Sequence, residues 1–265
     1  MSGSFPVVVV GLGNMGAALA RSLRRAHPEG KILGVDPDSA RLEMLRSEGI
    51  LEPAPADWKL ESGTLVLAVK PQILESAATD LRPRLGKGAV VVSILAGVPL
   101  SRLRSAMASD RVVRTMPNLP LTVGAGATAM AIDGCEPEVV GQARQILAPT
   151  GEVVEVLESQ LDAVTGLSGS GPAYVLKFLM SLEDGGVLAG LPRGVARKLA
   201  NATVAGTLRM VLESGIEPDV LRGQVTSPGG TTIYGLNAME KGGFSASVMD
   251  AVLSATMRSK ELGKA

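Results

Sequence analysis

The sequence predicts an α/β chain. A doubly wound sheet is expected over residues 1–160 and an all-helical region over 161–265. Three observations point there. Short β-branched runs recur without polar alternation: PVVVV at 6–10, KILGV at 31–35, TLVLAV at 64–69, AVVVSIL at 89–95 and RVVRTM at 111–116. Strands of that kind are buried on both faces, as in a parallel sheet. Amphipathic stretches separate them, which is the pattern of βαβ units. After about residue 160 the strands stop and helical patterns continue alone.

In order, the helical stretches of the first region are MGAALARSLRRA, SARLEMLRSEG, QILESAATDLRP, PLSRLRSAMAS and EPEVVGQARQILAP. GATAMAI at 126–132 and EVVEV at 152–156 add two further candidate strands. In the second region PAYVLKFLMSLEDGGVLAG is apolar nearly all round, so it is expected to be deeply buried. RGVARKLANATVAGTLRMVLESG follows, with Gly215 placed to stop it. Ala196, Ala200, Thr203 and Thr207 form a stripe of small residues that admits a close neighbour helix. Further helices are expected near 216–224, 230–241 and 245–262. A helical region this short and apolar is expected to hide surface in a partner subunit.

Composition excludes several functions. Hydrophobic residues make up 46% of the 265, and 26 basic side chains balance 26 acidic ones. Zero net charge argues against nucleic acid or an anionic membrane as partner. No apolar run approaches the roughly 18 residues of a membrane span, and the N-terminus lacks the basic flank of a signal peptide. The single cysteine, Cys135, rules out an internal disulfide and fits a reducing, cytoplasmic compartment. The single histidine, His27, sits in a helix exit, so no metal site is expected. Aromatics at 2% give no base-stacking platform.

The N-terminal motif VVVVGLGNMGAALA carries the first chemistry. Gly11, Gly13 and Gly16 fit G-x-G-x-x-G between an expected strand and an expected helix. Gly11 allows a tight turn, Gly13 lets backbone approach a pyrophosphate, and Gly16 lets helix and strand pack closely. The phosphates then meet the positive end of the helix dipole. Asp36 ends the second strand, where a carboxylate can accept from ribose hydroxyls and repel a 2′-phosphate. It can equally cap the following helix, with Pro37 at its first position. This leans toward NADH over NADPH. Lys70, in AVKP at 68–71, ends the third strand on the ligand edge of the sheet; it is either a cofactor or substrate contact or a solvated lysine. SILAG at 93–97 and MPNLP at 116–120 end later strands on that edge, where their backbones and Asn118 can frame a nicotinamide. With no Ser–His–Asp set and no metal cluster, hydride transfer to an already electrophilic C=N bond suits the scaffold.

GLGNMG, AVKP, GLSGSGPAY at 166–174, GLPR at 190–193 and SPGGTT at 227–232 together resemble pyrroline-5-carboxylate reductases, from Val7 to about Leu262. The resemblance implies reduction of 1-pyrroline-5-carboxylate to proline, the last step of proline biosynthesis, with NADPH or NADH. It also implies a Rossmann domain followed by a helical domain that interlocks in a homodimer, often within a ring of dimers. By position, Gly11, Leu12, Gly13, Asn14, Met15 and Gly16, with Ala68, Val69, Lys70 and Pro71, would hold the cofactor. Ser227, Gly229, Gly230, Thr231 and Thr232 would hold the substrate, with the Thr232 hydroxyl near the imine nitrogen. The residues agree: a Ser-Pro-Gly-Gly turn at a helix start leaves N–H groups free for a carboxylate. Tyr174 and Ser168 read as packing and capping.

The chain departs from the family at three places. Leu221-Arg222-Gly223 stands where the family usually has Leu-Lys-Asp. Leu119 replaces a threonine in MPNTP, and GVDPDS replaces a segment suited to a 2′-phosphate. GVDPDSARLEMLRSEGI also resembles the second βα unit of prephenate dehydrogenases. Two other readings stand beside the reductase: an enzyme for a related cyclic imine acid, and a dinucleotide-binding regulator without catalysis.

Overall fold

A computed structural model describes residues 6–263. Eight strands form one sheet in the order β3-β2-β1-β4-β5-β6-β7-β8. They are β1 (Val7–Val10), β2 (Ile32–Val35), β3 (Glu52–Pro53), β4 (Leu60–Leu67), β5 (Leu85–Ser93), β6 (Val112–Met116), β7 (Gly126–Ala131) and β8 (Gly151–Val156). Between the major strands run α1 (Asn14–Ala26), α2 (Ser39–Ser47), α3 (Leu74–Leu81), α4 (Leu100–Met107) and α5 (Pro137–Leu147). All neighbours pair in parallel except β6 and β7, which are antiparallel. That reversal follows from the connection: a short turn, Leu119–Val123, replaces a crossover helix there, and only antiparallel strands close so briefly. The two-residue β3 has no apolar run, so the sequence carried no sign of it.

Both faces of the sheet are covered. Val7 and Val9 pack with Leu19, Leu23, Leu45, Val139 and Ile146, which places α1, α2 and α5 on one side. Val8 and Val10 pack with Leu74, Leu81, Leu100 and Leu103, which places α3 and α4 on the other. Alternate residues of one β-branched run thus fill two cores.

The chain divides into two compact units. One runs to Ser170 and takes back the chain from Ser254; the other is Gly171–Leu253. The boundary lies beyond residue 160 because α6 (Leu161–Val164) belongs to the sheet unit, with Leu161 buried against Ala129 and Ala131. The Ser259 hydroxyl donates to Asp162 at 2.7 Å in the same unit.

The second unit holds α7 (Gly171–Leu188), α8 (Arg193–Ser214), α9 (Pro218–Gln224), α10 (Thr231–Lys241) and the start of α11 (Phe244–Leu262). Gly215 ends α8 at φ +63°, the left-handed stop expected of it. Within the small-residue stripe, Ala196 and Ala200 are buried, and a Cβ built on Gly186 of α7 would lie 3.0 Å from that of Ala196. Thr203 and Thr207 remain exposed. One expectation is corrected. No residue of α7 is buried, and Met180 is 60% exposed. Leu212 of α8 is 74% exposed. The apolar side chains of α7 and α8 lie open because the described elements of one chain do not cover them. Among the described residues no helix is long and apolar enough to cross a membrane.

Candidate active site

The glycine loop connects β1 to α1, and its three glycines answer to three different constraints. Gly11 has φ +90°, and a Cβ there would lie 2.6 Å from the Ala68 carbonyl oxygen. A Cβ on Gly16 would lie 1.9 Å from the Gly11 carbonyl oxygen, so only glycine lets α1 meet the loop. A Cβ on Gly13 would meet nothing within 4 Å. Packing does not ask for a glycine at Gly13, and open space above it is what a closely approaching ligand requires. Gly13 is also the N-cap of α1; no side chain accepts from the helix's first N–H groups, and its first turn carries no acid. The residues present therefore fit a pyrophosphate on the backbone at that point.

Two cavities of roughly 400 and 440 Å³ flank the loop. Leu12, Gly13, Asn14, Arg21, Arg41, Leu119 and Thr122 border the first. Gly11, Asp36, Ala68, Val69 and Lys70 border the second, with Arg41 again. The structure thus brings GLGNMG, AVKP, Asp36 and the turn after MPN together at one sheet edge. Met15 and Gly16 lie in the first turn of α1, and Pro71 opens the short turn Pro71–Ile73 after Lys70. Arg21 and Thr122 carried no signal in the sequence; each is an ordinary polar residue until the fold turns it toward the loop.

Two expected contacts are held by the protein itself. Asp36 does not cap α2. The cap is Asp38, whose carboxylate accepts from the Ala40 and Arg41 N–H groups at 3.0 and 3.3 Å. Asp36 instead accepts from the Leu12 N–H at 2.6 Å and the Asp38 N–H at 2.8 Å. Its side chain is 3% exposed. Asn118 is likewise buried. Its Oδ1 accepts from the Ala127 N–H at 2.8 Å and its Nδ2 donates to the Ser168 carbonyl at 3.1 Å. Ser168 lies in a π-turn, Thr165–Gly169, and not at a helix cap. A Cβ on Gly169 would press the Met116 methyl at 2.8 Å, so the π-turn and the end of β6 are closely packed.

The other motif lies in the second unit. Gly229 takes φ +68°, and the Gly230 N–H donates to the Ser227 carbonyl at 3.1 Å, closing the turn. Gly230 is the N-cap of α10, again with no side chain accepting from the first N–H groups and no acid in the first turn. A Cβ on Gly230 would sit 2.3 Å from the Ser227 hydroxyl oxygen. Thr231 and Thr232 form the first turn, and Thr232 is partly exposed. Tyr174 is a packing residue, its hydroxyl donating to the Ala251 carbonyl at 3.2 Å.

The doubly wound sheet and its glycine loop define a dinucleotide-binding protein of the Rossmann class. Known proteins narrow this further. The family model for pyrroline-5-carboxylate reductase dimerisation matches residues 158–262, and that for F420-dependent NADP oxidoreductase matches 6–97. Pyrroline-5-carboxylate reductase of Synechocystis is 43% identical, over 98% of this chain and 99% of its own length. The solved pyrroline carboxylate reductase of Plasmodium falciparum, with NADP bound, is 31% identical with a TM-score of 0.82, over 98% of both chains. That of Coxiella burnetii is 29% identical with a TM-score of 0.90, over 98% of this chain and 99% of its own. The chain belongs to the pyrroline-5-carboxylate reductase family.

Proposed function

We propose that the chain reduces 1-pyrroline-5-carboxylate to proline, the closing step of proline biosynthesis, with hydride from NADH or NADPH. The observation that carries the reading is the α10 start: a glycine turn presents uncapped N–H groups with a threonine hydroxyl beside them. When bound, the reduced nicotinamide supplies the hydride.

The chain's own residues do the rest. The backbone of Gly11–Gly16 receives the pyrophosphate at the positive end of α1, flanked by Ala68–Pro71. Asp36 and Asn118 keep that edge in shape from below. In the second unit, the N–H groups from Gly230 onward, with Ser227, Gly229 and Thr231, hold the substrate carboxylate. The Thr232 hydroxyl holds a proton to the ring nitrogen, directly or through water, as the imine carbon gains its hydride.

The chain acts as a homo-oligomer. The proposed assembly is a homodimer built on the exposed apolar helices, with a ring of dimers as its larger form. The proposed location is the cytoplasm.

The test is steady-state oxidation of NADH and NADPH with 1-pyrroline-5-carboxylate, against a six-membered cyclic imine acid as competitor. Thr232→Ala should lower kcat by about 100-fold, the scale of one proton donor, with dinucleotide affinity unchanged. Gly230→Val should raise KM, because its branched side chain displaces the Ser227 hydroxyl and covers the N–H groups. Full activity in both variants would reject the site. Faster turnover of the six-membered ring would move the assignment to that substrate.

A further inference from the structure

The end of β2 carries a group of charges that bears on which dinucleotide the chain selects, an inference that rests on the proposed reductase activity. Asp36 is not offered to a ligand. Both its oxygens accept backbone N–H bonds and its side chain is 3% exposed. Its work is to tie the glycine loop to the start of α2. Asp38 is different: its side chain is 43% exposed. It pairs with Arg41 Nε at 3.1 Å, while Arg41 Nη1 lies 3.9 Å from Asp36.

Arg41 borders both cavities along the glycine loop and is half exposed. Two carboxylates already balance it, and Arg21, the other cation on the first cavity, is paired with Glu48 at 2.8 Å. Lys70 is the other basic residue on the second cavity, and Asp80 borders that cavity too. A 2′-phosphate carries a charge of about −1.5 to −2 at neutral pH and needs a free cation. Here it would have to break the Asp38–Arg41 pair and then lie beside the carboxylates. A ribose 2′-hydroxyl carries no charge and leaves the pair intact.

We infer that Asp38, by holding Arg41, makes the chain select the dinucleotide with a free 2′-hydroxyl over the one with a 2′-phosphate. The sequence reading leaned the same way but on Asp36, the buried residue. The structure assigns the selection to the exposed one.

Isothermal titration calorimetry with NADH and NADPH tests this without reference to turnover. Wild type should bind NADH about ten-fold or more tightly than NADPH. Asp38→Asn keeps an oxygen to cap α2 and removes the charge, so fold is retained. It should tighten NADPH by about ten-fold and leave NADH within about three-fold. Adding Arg41→Ala should erase that gain. The pair 5′-AMP and 2′,5′-ADP repeats the comparison on the adenosine end alone. NADPH binding as tightly as NADH in wild type, an unchanged ratio in Asp38→Asn, or a gain that survives Arg41→Ala each overturns the inference. Failure of wild type to bind either dinucleotide overturns it together with the reductase reading. The expected ratios without turnover of 1-pyrroline-5-carboxylate overturn the reading alone.

Discussion

Gly13 and Gly16 stand one turn apart and should fail in opposite ways when replaced. A Cβ on Gly16 would meet backbone at 1.9 Å, and no side-chain motion can relieve that. Gly16→Ala should therefore fail to fold or lose more than about 3 kcal/mol of stability, read by chemical denaturation. A Cβ on Gly13 meets nothing. Gly13→Ala should melt near wild type, with at most about 1 kcal/mol lost at the N-cap, while dinucleotide affinity falls by more than ten-fold. Equal losses of stability in both would refute the distinction. Asn118 is a third case. Truncation leaves the Ala127 N–H and the Ser168 carbonyl without their partner in a buried place. Asn118→Ala should cost about 1–3 kcal/mol by the same measurement. A loss of nicotinamide binding with full stability would make it a ligand contact and not a brace. Which of these residues mattered was readable from G-x-G-x-x-G and MPN; how each mattered was not, because that depends on what stands opposite.

At the scale of elements, α7 and α8 are joined through charge as well as packing. Glu183 on α7 pairs with Arg197 and Arg193 of α8, each at 2.9 Å. Hydrogen bonds from Arg197 first and Arg193 second hold its carboxyl below the usual 4.5. A carboxyl lowered in the folded state contributes stability above its unfolded value and loses it as pH falls through the folded one. Glu183→Gln should therefore melt below wild type near pH 7, with a gap that narrows as pH falls below the usual carboxylate range and shrinks in high salt. A gap independent of pH would mean that Glu183 acts through packing. The helix starts show the same division between local and distant causes. Both α1 and α10 begin on glycine without a side-chain cap, and the sequence announced this through GLGNMG and SPGGTT. The sequence leaves Asp36 open as a ribose contact or as the cap of α2, and the cap is Asp38, since both are good caps locally. Asp36 was drawn away by the Leu12 N–H, which is 24 residues distant.

For the molecule as a whole, the second unit leaves large apolar side chains open, among them Met180, Leu188 and Leu212. Surface of that kind is covered by association. Stability should then be linked to protein concentration, with Tm rising as the chain is concentrated. A monomeric mass in light scattering at about micromolar concentration, with a constant Tm, would remove the homo-oligomer from the account.

The sequence by itself determined the strand–helix alternation, both glycine turns and the family. These are local: β-branched runs, helical periodicity and turn glycines act through near neighbours along the chain. Only the tertiary structure decided that β7 runs antiparallel, that Leu161–Ser170 packs with the sheet unit, and that Arg21 and Thr122 border the loop. It also decided that Asp36 is buried while Asp38 is exposed beside Arg41. Burial and pairing are set by residues far apart in sequence, so identical side chains two positions apart take different roles.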